Sequence, residues 1–171
     1  MKLLIIFIYL ITANFSFASE KPDIKNLVLI KNPKKYENVI FNDINQKNVD
    51  LDDFKGKLIL LNFWATWCAP CKEEMPSLDN LQSNSNFSNL EIFPINIGQE
   101  DASKSEFFFK SLNIQNLDIY LDASITLAKK FALRGVPTTI LFNKQGKEFA
   151  RIMGSIDFNN KEFINWLKTY N

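Results

Sequence analysis

A buried-strand pattern, a pair of cysteines and a helical pattern follow one another without a break between residues 58 and 82. The run LILLNF at 58–63 does not alternate between apolar and polar residues, which is typical of a strand buried on both faces of a sheet. Cys68 and Cys71, the two cysteines of the chain, follow in a short loop. The apolar residues after them recur at every third position: Met75, Leu78 and Leu81. We therefore expect a strand–loop–helix unit with the cysteines where the helix begins.

The cysteine pair could be a metal site, a structural disulfide or a redox centre. A structural zinc site needs four ligands, usually Cys or His, whereas this chain has two cysteines and no histidine. A disulfide that closes such a small loop restrains little of the unfolded chain. A redox pair is favoured, because C-x-x-C next to a βαβ pattern is typical of thiol-disulfide chemistry. We expect no metal and no other cofactor.

The position of the pair predicts a separate role for each cysteine. A helix N-terminus offers unpaired N–H groups and a partial positive charge, which lower the pKa of the Cys68 thiol below its free value of about 8.5. Cys68 is therefore predicted to be the exposed nucleophile. Cys71, in the first turn of the helix, is predicted to be the resolving thiol that breaks the mixed disulfide.

The rest of the chain predicts a single α/β domain, which suits its 171 residues. The predicted order is hairpin, strand, helix, strand, helix, strand, helix, hairpin, helix. The βαβ units imply parallel neighbours, and a tight turn at 143–146 makes the last two strands antiparallel. We expect a mixed central β-sheet with helices on both faces at residues 37–171, after a polar, loosely packed lead-in at 19–36. The later elements include a strand at 117–121 and helices at 124–133 and 160–170.

Residues 1–18 are predicted to be a secretory signal peptide. Lys2 provides a positive start, Leu3–Ile11 is apolar, and Ser16–Ala18 offers small residues for cleavage. The apolar run is short for a bilayer span, although retention as a membrane anchor remains an alternative. The mature protein is therefore expected in the periplasm, where disulfides persist. A net charge of +1, with scattered Lys and Arg, does not predict a nucleic-acid partner.

Two separated motifs resemble one protein family. LNFWATWCAPCKEEMPSL at 61–78 resembles the active-site stretch of the thioredoxin superfamily, specifically its exported TlpA/ResA-like branch, and FALRGVPTTILFNKQGKE at 131–148 continues the likeness. The resemblance covers roughly residues 37–171. It implies a thioredoxin-like three-layer α/β fold with an N-terminal β-hairpin extension and a central insertion. It also implies thiol-disulfide exchange on protein substrates, most often in the reducing direction.

The resemblance also implies partners. Typical clients are apocytochrome c before haem attachment and cysteines of copper sites in respiratory oxidases. A membrane thiol-electron transporter would supply the electrons to a monomeric protein. Composition and spacing do not distinguish one client from another.

Further site residues come from the resemblance. Val136 and Pro137 resemble the family's cis-proline loop, which faces the cysteines and would offer the Val136 backbone to an extended client. Trp67 would shield the nucleophile. Many thioredoxins have a buried Asp where this chain has Asn62, and an amide cannot act as a base. Glu74 is the candidate substitute that handles the proton, the alternative being an exposed helix carboxylate.

Two rival functions stay open. An oxidant of the DsbA type would donate its disulfide, and the cysteine pair alone permits this. A peroxiredoxin is disfavoured, because its motif needs proline and threonine where this chain has Leu61 and Ala65.

The run 107–109 consists of three phenylalanines. A helix that faces a sheet accounts for two of them, which leaves one as a candidate contact for clients.

Overall fold

The computed structural model describes residues 21–122 and 124–171, so the predicted signal peptide lies outside the described residues. The strands of this part are β1 Leu27–Lys35, β2 Ile40–Asp43, β3 Asn48–Asp50, β4 Leu58–Trp64, β5 Leu90–Asn96, β6 Tyr120–Leu121, β7 Thr138–Phe142 and β8 Lys147–Met153. The helices are α1 Ala69–Gln82, α2 Ala102–Ser111, α3 Thr126–Lys130 and α4 Lys161–Leu167, with 3-10 turns at Leu51–Phe54 and Lys168–Tyr170.

The strands form one mixed sheet in the order β1-β8-β7-β4-β5-β6-β2-β3. The pairs β4–β5 and β5–β6 are parallel, whereas β4–β7, β7–β8 and the hairpin β2–β3 are antiparallel. The predicted mixed sheet and the early hairpin are therefore confirmed. Helices pack on both faces of this sheet and form the outer layers of the domain.

Strand β4 lies inside the sheet, and all of its side chains are buried. Because side chains alternate along a strand, they enter two different cores. Leu58, Leu60 and Trp64 join a cluster that includes residues of α1, α2 and α4. Ile59, Leu61 and Phe63 join a second cluster with Leu127 of α3. This division confirms the prediction of helices on both faces and explains why the run at 58–63 is apolar throughout.

The range 19–36, predicted to be a loosely packed lead-in, contains the edge strand β1, so the structure differs from the prediction at residues 27–35. Strand β1 pairs antiparallel with β8, and Leu27 is fully buried. Most of the other β1 side chains are exposed. The apolar start of β1, residues 27–30, is flanked by polar residues and followed by Pro33, so the surrounding composition resembled that of a loop.

The predicted strand at 117–121 is reduced to Tyr120–Leu121. The preceding backbone bonds to a side chain instead of a neighbouring strand: the N–H groups of Gln115, Asn116 and Leu117 donate to Oδ1 of Asp79 on α1. This buried carboxylate therefore fixes the path of the loop between α2 and β6.

The two later helices are shorter than predicted. Ile125 and Ala132 adopt positive φ angles of 54° and 50°, which an α-helix cannot contain, and they bracket α3. The helix predicted at 160–170 consists of α4 followed by the 3-10 turn Lys168–Tyr170. Helix ends often tighten in this way.

Candidate active site

The two cysteines lie at the N-terminus of α1 and are joined by a disulfide with an S–S distance of 2.06 Å. Cys68 is the N-cap residue, and its Sγ accepts a hydrogen bond of 3.2 Å from the Cys71 N–H. That N–H is one of the donors that a helix leaves unpaired at its start. Once the disulfide is reduced, the same donor can stabilise a thiolate at Cys68.

The cysteines differ only slightly in accessibility. Cys68 is 4% exposed and Cys71 is 0% exposed, so the exposed nucleophile predicted at position 68 is nearly buried in the disulfide form. Both side chains belong to the core cluster on the α1 face of the sheet. This packing explains why Cys68 is less exposed than predicted. Cys68 remains the more accessible of the two. Trp67, predicted to shield it, is 69% exposed.

Glu74 is buried in the second turn of α1, with 2% of its surface exposed. Its Oε1 accepts a 2.8 Å hydrogen bond from Nδ2 of Asn62, and its Oε2 accepts a 3.3 Å bond from the N–H of Ile156. Burial raises the pKa of Glu74 to about 7, and the two hydrogen bonds partly oppose this effect. The alternative of an exposed helix carboxylate is therefore wrong for Glu74, although it describes its neighbour Glu73.

Asn62 holds this carboxyl group from the central strand. Its Nδ2 also donates a 2.9 Å hydrogen bond to Oγ1 of Thr139 on β7. Within the described residues, its Oδ1 is buried without a hydrogen-bond partner. The amide thus orients Glu74 but cannot take up a proton itself, whereas a carboxyl group with a pKa near neutrality can gain or lose one.

A surface cleft of about 320 Å³ lies beside Glu74, between α1 and the segment that follows β8. Ser155, Ile156 and Asp157 line it together with Glu73 and Glu74. The cleft gives the buried carboxyl group a route for proton exchange with solvent. Ile156 and Asp157 were not among the predicted site residues, because no local pattern relates them to a helix that lies about eighty residues earlier in the chain.

The Val136–Pro137 peptide bond is cis, as the family resemblance implied. Thr138 pairs with Phe63, so Pro137 lies at the end of β4 from which the cysteine loop leaves. Val136 packs against the core cluster that contains both cysteines. The loop at 132–138 also lines a surface cavity of about 260 Å³. The loop therefore offers a surface along which an extended peptide can lie.

Within residues 21–122 and 124–171, no cluster of three or more His, Cys, Asp or Glu side chains could hold a metal ion. No helix of this part of the chain has the length and apolar character needed to cross a membrane.

The chain shares sequence with known proteins. Residues 33–147 match the AhpC/TSA family. The chain is 34% identical to the thiol-disulfide oxidoreductase ResA of Bacillus subtilis over 119 residues, which cover 70% of this chain and 65% of that protein. It is 31% identical to ResA of Bacillus thuringiensis over 121 residues, which cover 71% of this chain and 69% of the relative.

The fold is shared with solved structures. A thiol:disulfide interchange protein of the thioredoxin family from Chlorobium tepidum aligns with a TM-score of 0.67 at 20% identity, covering 82% of this chain and 98% of that one. The likeness confirms the predicted thioredoxin-like fold. At this level of identity it is evidence about the fold alone.

Proposed function

This chain belongs to the AhpC/TSA family and, within it, to the ResA-like thiol-disulfide oxidoreductases of the thioredoxin superfamily, and on that premise we propose that it reduces disulfides of client proteins outside the cytoplasm. One observation carries the proposal: the Cys68–Cys71 pair lies at the start of α1, one turn before a buried carboxyl group whose pKa is about 7. A reactive sulfur, a resolving sulfur and a group that can move a proton thus share one helix.

The first step begins from the reduced pair. The Cys68 thiolate attacks one sulfur of the client disulfide, and the client S–S bond breaks. The leaving client sulfur takes the bonding electrons and a proton from solvent. The product is a mixed disulfide between Cys68 and the client. The Cys71 N–H that bonds to Cys68 Sγ supports the thiolate before the attack.

The second step closes the enzyme disulfide. The Cys71 thiol gives its proton to Glu74 and attacks the Cys68 sulfur, which releases the second client sulfur. Glu74 then returns the proton through the solvent cleft, and the released sulfur is protonated. Two electrons and two protons have passed to the client, and the product is the Cys68–Cys71 disulfide found in the structure. Asn62 acts as a positioning residue that keeps Glu74 turned toward the core.

The cis-proline loop and Trp67 would contact the client. The Val136 backbone can hydrogen-bond an extended client strand, with Pro137 fixing the shape of the loop. Trp67 exposes an aromatic surface directly beside Cys68. Its exposure supports a role in contacting the client more than one in covering the sulfur.

The cellular setting is part of the proposal. The signal-like residues 1–18 and the likeness to ResA support export to the periplasm, with a retained anchor as the alternative. The clients would be apocytochrome c or copper-site proteins, and a membrane thiol-electron transporter would re-reduce the pair. We expect a monomer that does not bind nucleic acid.

Measurement of the reduction potential of the Cys68–Cys71 couple tests the direction of electron flow. A reductant should have a potential near or below that of thioredoxin, about −270 mV, whereas a potential near that of DsbA, about −120 mV, would contradict the proposal. The second outcome would instead support the oxidant, which donates the disulfide that the structure contains.

A peroxidase is the weaker alternative, although the family match extends over the cysteine loop. Leu61 and Ala65 occupy the positions where the peroxiredoxin motif has proline and threonine. A peroxidase would require that the protein consume peroxide and that Cys68→Ser abolish the consumption.

A further inference from the structure

A surface cleft of about 390 Å³ lies beside the cysteine loop, between that loop and α2. We call it the α2 cleft. Its lining includes Thr66, Lys72, Ser103, Lys104, Phe107 and Ser111. It is separate from the cavity of the cis-proline loop, with which it shares no lining residue.

The α2 cleft is close to the reactive sulfur along the chain. Thr66 precedes Cys68 by two residues, and Lys72 directly follows Cys71. The Thr66 hydroxyl donates a hydrogen bond to Oε2 of Glu100, which ties the cysteine loop to the segment before α2. A polypeptide in this cleft would therefore hold its neighbouring residues at the redox site.

The apolar part of the α2 cleft consists of Phe107 and Phe108, and of these two rings only Phe108 belongs to the core. Phe108 and Phe109 are buried and pack on Trp64, with ring centroids 4.6 Å and 5.4 Å away. Phe107 points away from this core and is 74% exposed, more than any other large exposed hydrophobic residue of the described part of the chain. A solvent-exposed aromatic beside an active site is typical of a contact surface.

The polar part of the α2 cleft is cationic. Lys72 and Lys104 both line it, and both are exposed. Neither makes an ion pair with another described residue, and no carboxylate is among the lining residues. Glu100, which accepts the Thr66 hydroxyl, places a carboxylate next to the cleft but not among its lining residues. Two lysines around an exposed phenylalanine match a partner that has both negative charge and an apolar group.

We propose that the α2 cleft binds a segment of the client polypeptide in which an acidic residue lies next to an aromatic or large aliphatic residue, close in sequence to the disulfide cysteine. The apolar side chain packs on Phe107, and the carboxylate lies between Lys72 and Lys104. The inference rests on the proposed reductase function and adds a preference among clients. It also assigns to α2 a role in client binding, in addition to its packing against the sheet.

Two sets of disulfide peptides test the inference with the purified full-length protein. In one set, a Glu-Phe segment lies next to a cysteine, before it in one peptide and after it in another. The matched set has Lys-Phe at the same positions. Bis(2-hydroxyethyl) disulfide, which is small and uncharged, measures basal activity. For the wild-type protein, kcat/KM should be about fivefold higher for the Glu-Phe peptides than for the Lys-Phe peptides, as expected for exposed charge pairs. The difference should arise from a lower KM. Salt should weaken the preference.

Variants on α2 distinguish an effect of the cleft from an effect of the overall charge of the protein. Lys104→Glu should abolish or reverse the preference, and Phe107→Ser should raise KM for both peptide sets. Lys110→Glu is the matched control, because Lys110 is also exposed on α2 but does not line the cleft. None of the three should change the reduction of bis(2-hydroxyethyl) disulfide or the melting temperature.

The possible failures can be told apart. If the wild-type protein fails to reduce even bis(2-hydroxyethyl) disulfide, the proposed function is wrong and the client preference falls with it. If that reduction proceeds but the two peptide sets react equally, or if Lys110→Glu has the same effect as Lys104→Glu, only the cleft proposal is overturned. A dimer in sedimentation experiments that Phe107→Ser dissociates would overturn it as well, in favour of a second copy of this chain as the occupant.

Discussion

Asn62 and Glu74 are joined by a hydrogen bond of 2.8 Å from Nδ2 to Oε1, which connects the central strand β4 to the cysteine-bearing helix α1 inside the core. A carboxylate at position 62 would repel the carboxylate at 74 at this distance, whereas the amide stabilises it. The neutral residue at 62 and the buried acid at 74 therefore work as a pair. A side chain that can gain or lose a proton near neutral pH therefore lies on the helix instead of the strand.

Glu74→Gln should remove a pH dependence of stability. The pKa of Glu74 rises from its ordinary value of 4.5 to about 7 on folding, so the folded state binds the proton more tightly. The associated stability is fully present below pH 4.5 and is lost as the pH rises through about 7, by at most roughly 3 kcal/mol. Urea unfolding from acid to neutral pH should show this loss for wild type and for the control Glu73→Gln, but not for Glu74→Gln. Equal curves for all three proteins would contradict the prediction.

The same substitution should slow thiol-disulfide exchange. A glutamine at 74 cannot accept the Cys71 proton, so resolution of the mixed disulfide should slow by about 100-fold. The dependence of the rate on pH near 7 should also flatten. Stopped-flow reduction of a model disulfide across this range provides the measurement, again with Glu73→Gln as the matched control. Unchanged kinetics would leave Glu74 a structural residue only.

Asn62→Ala should shift the pH dependence of exchange to higher pH. The hydrogen bond from Asn62 lowers the pKa of Glu74, so its loss should raise that pKa further. The variant should also lose about 2 kcal/mol of stability, because it leaves a cavity and two unpaired polar groups in the core. Measuring the pH–rate profile together with the unfolding free energy distinguishes the two effects. A stability loss without a shift of the profile would mean that Asn62 has no influence on proton transfer.

Cys71→Ser should trap clients as mixed disulfides. Without the resolving thiol, the bond between Cys68 and a client sulfur cannot be broken from within the protein. Non-reducing gels after incubation with a disulfide-containing protein should show an adduct that dithiothreitol removes. Cys68→Ser serves as the control and should give none. An adduct in the control and not in Cys71→Ser would reverse the two assigned roles.

Asp79→Ala should destabilise the domain by about 3 kcal/mol, because it removes a buried carboxylate acceptor of several hydrogen bonds. The backbone N–H groups of the loop at 115–117 would lose their acceptor. Denaturant unfolding of this variant, beside Asp53→Ala at an exposed position, tests the magnitude. Reduction of bis(2-hydroxyethyl) disulfide should be unaffected below the unfolding transition. A cost no larger than that of Asp53→Ala would contradict the proposed anchoring role.

Elements whose pattern is local and strong were predictable. The apolar run of β4, the helix after Cys68 and the hairpin β7–β8 all lie where the spacing of residues placed them. The edge strand β1 was not predicted, and β6 is shorter than the strand predicted at 117–121, because backbone groups of both segments pair with partners distant in the sequence. Asp79 illustrates this point: it is an ordinary helix residue in sequence, yet it decides the conformation of a loop more than thirty residues later.

By itself, the sequence determined that two cysteines begin a helix that follows a buried strand. The order and spacing of neighbouring residues are enough to predict the strand, the loop and the helix. Only the tertiary structure decided that Glu74 is buried with a pKa of about 7 while Glu73 is not, and that Phe107 faces solvent while Phe108 and Phe109 do not. The physical reason is that desolvation and hydrogen bonding depend on which face of a helix meets the sheet. For Glu74 the partners come from β4 and from Ile156, and folding alone brings them together.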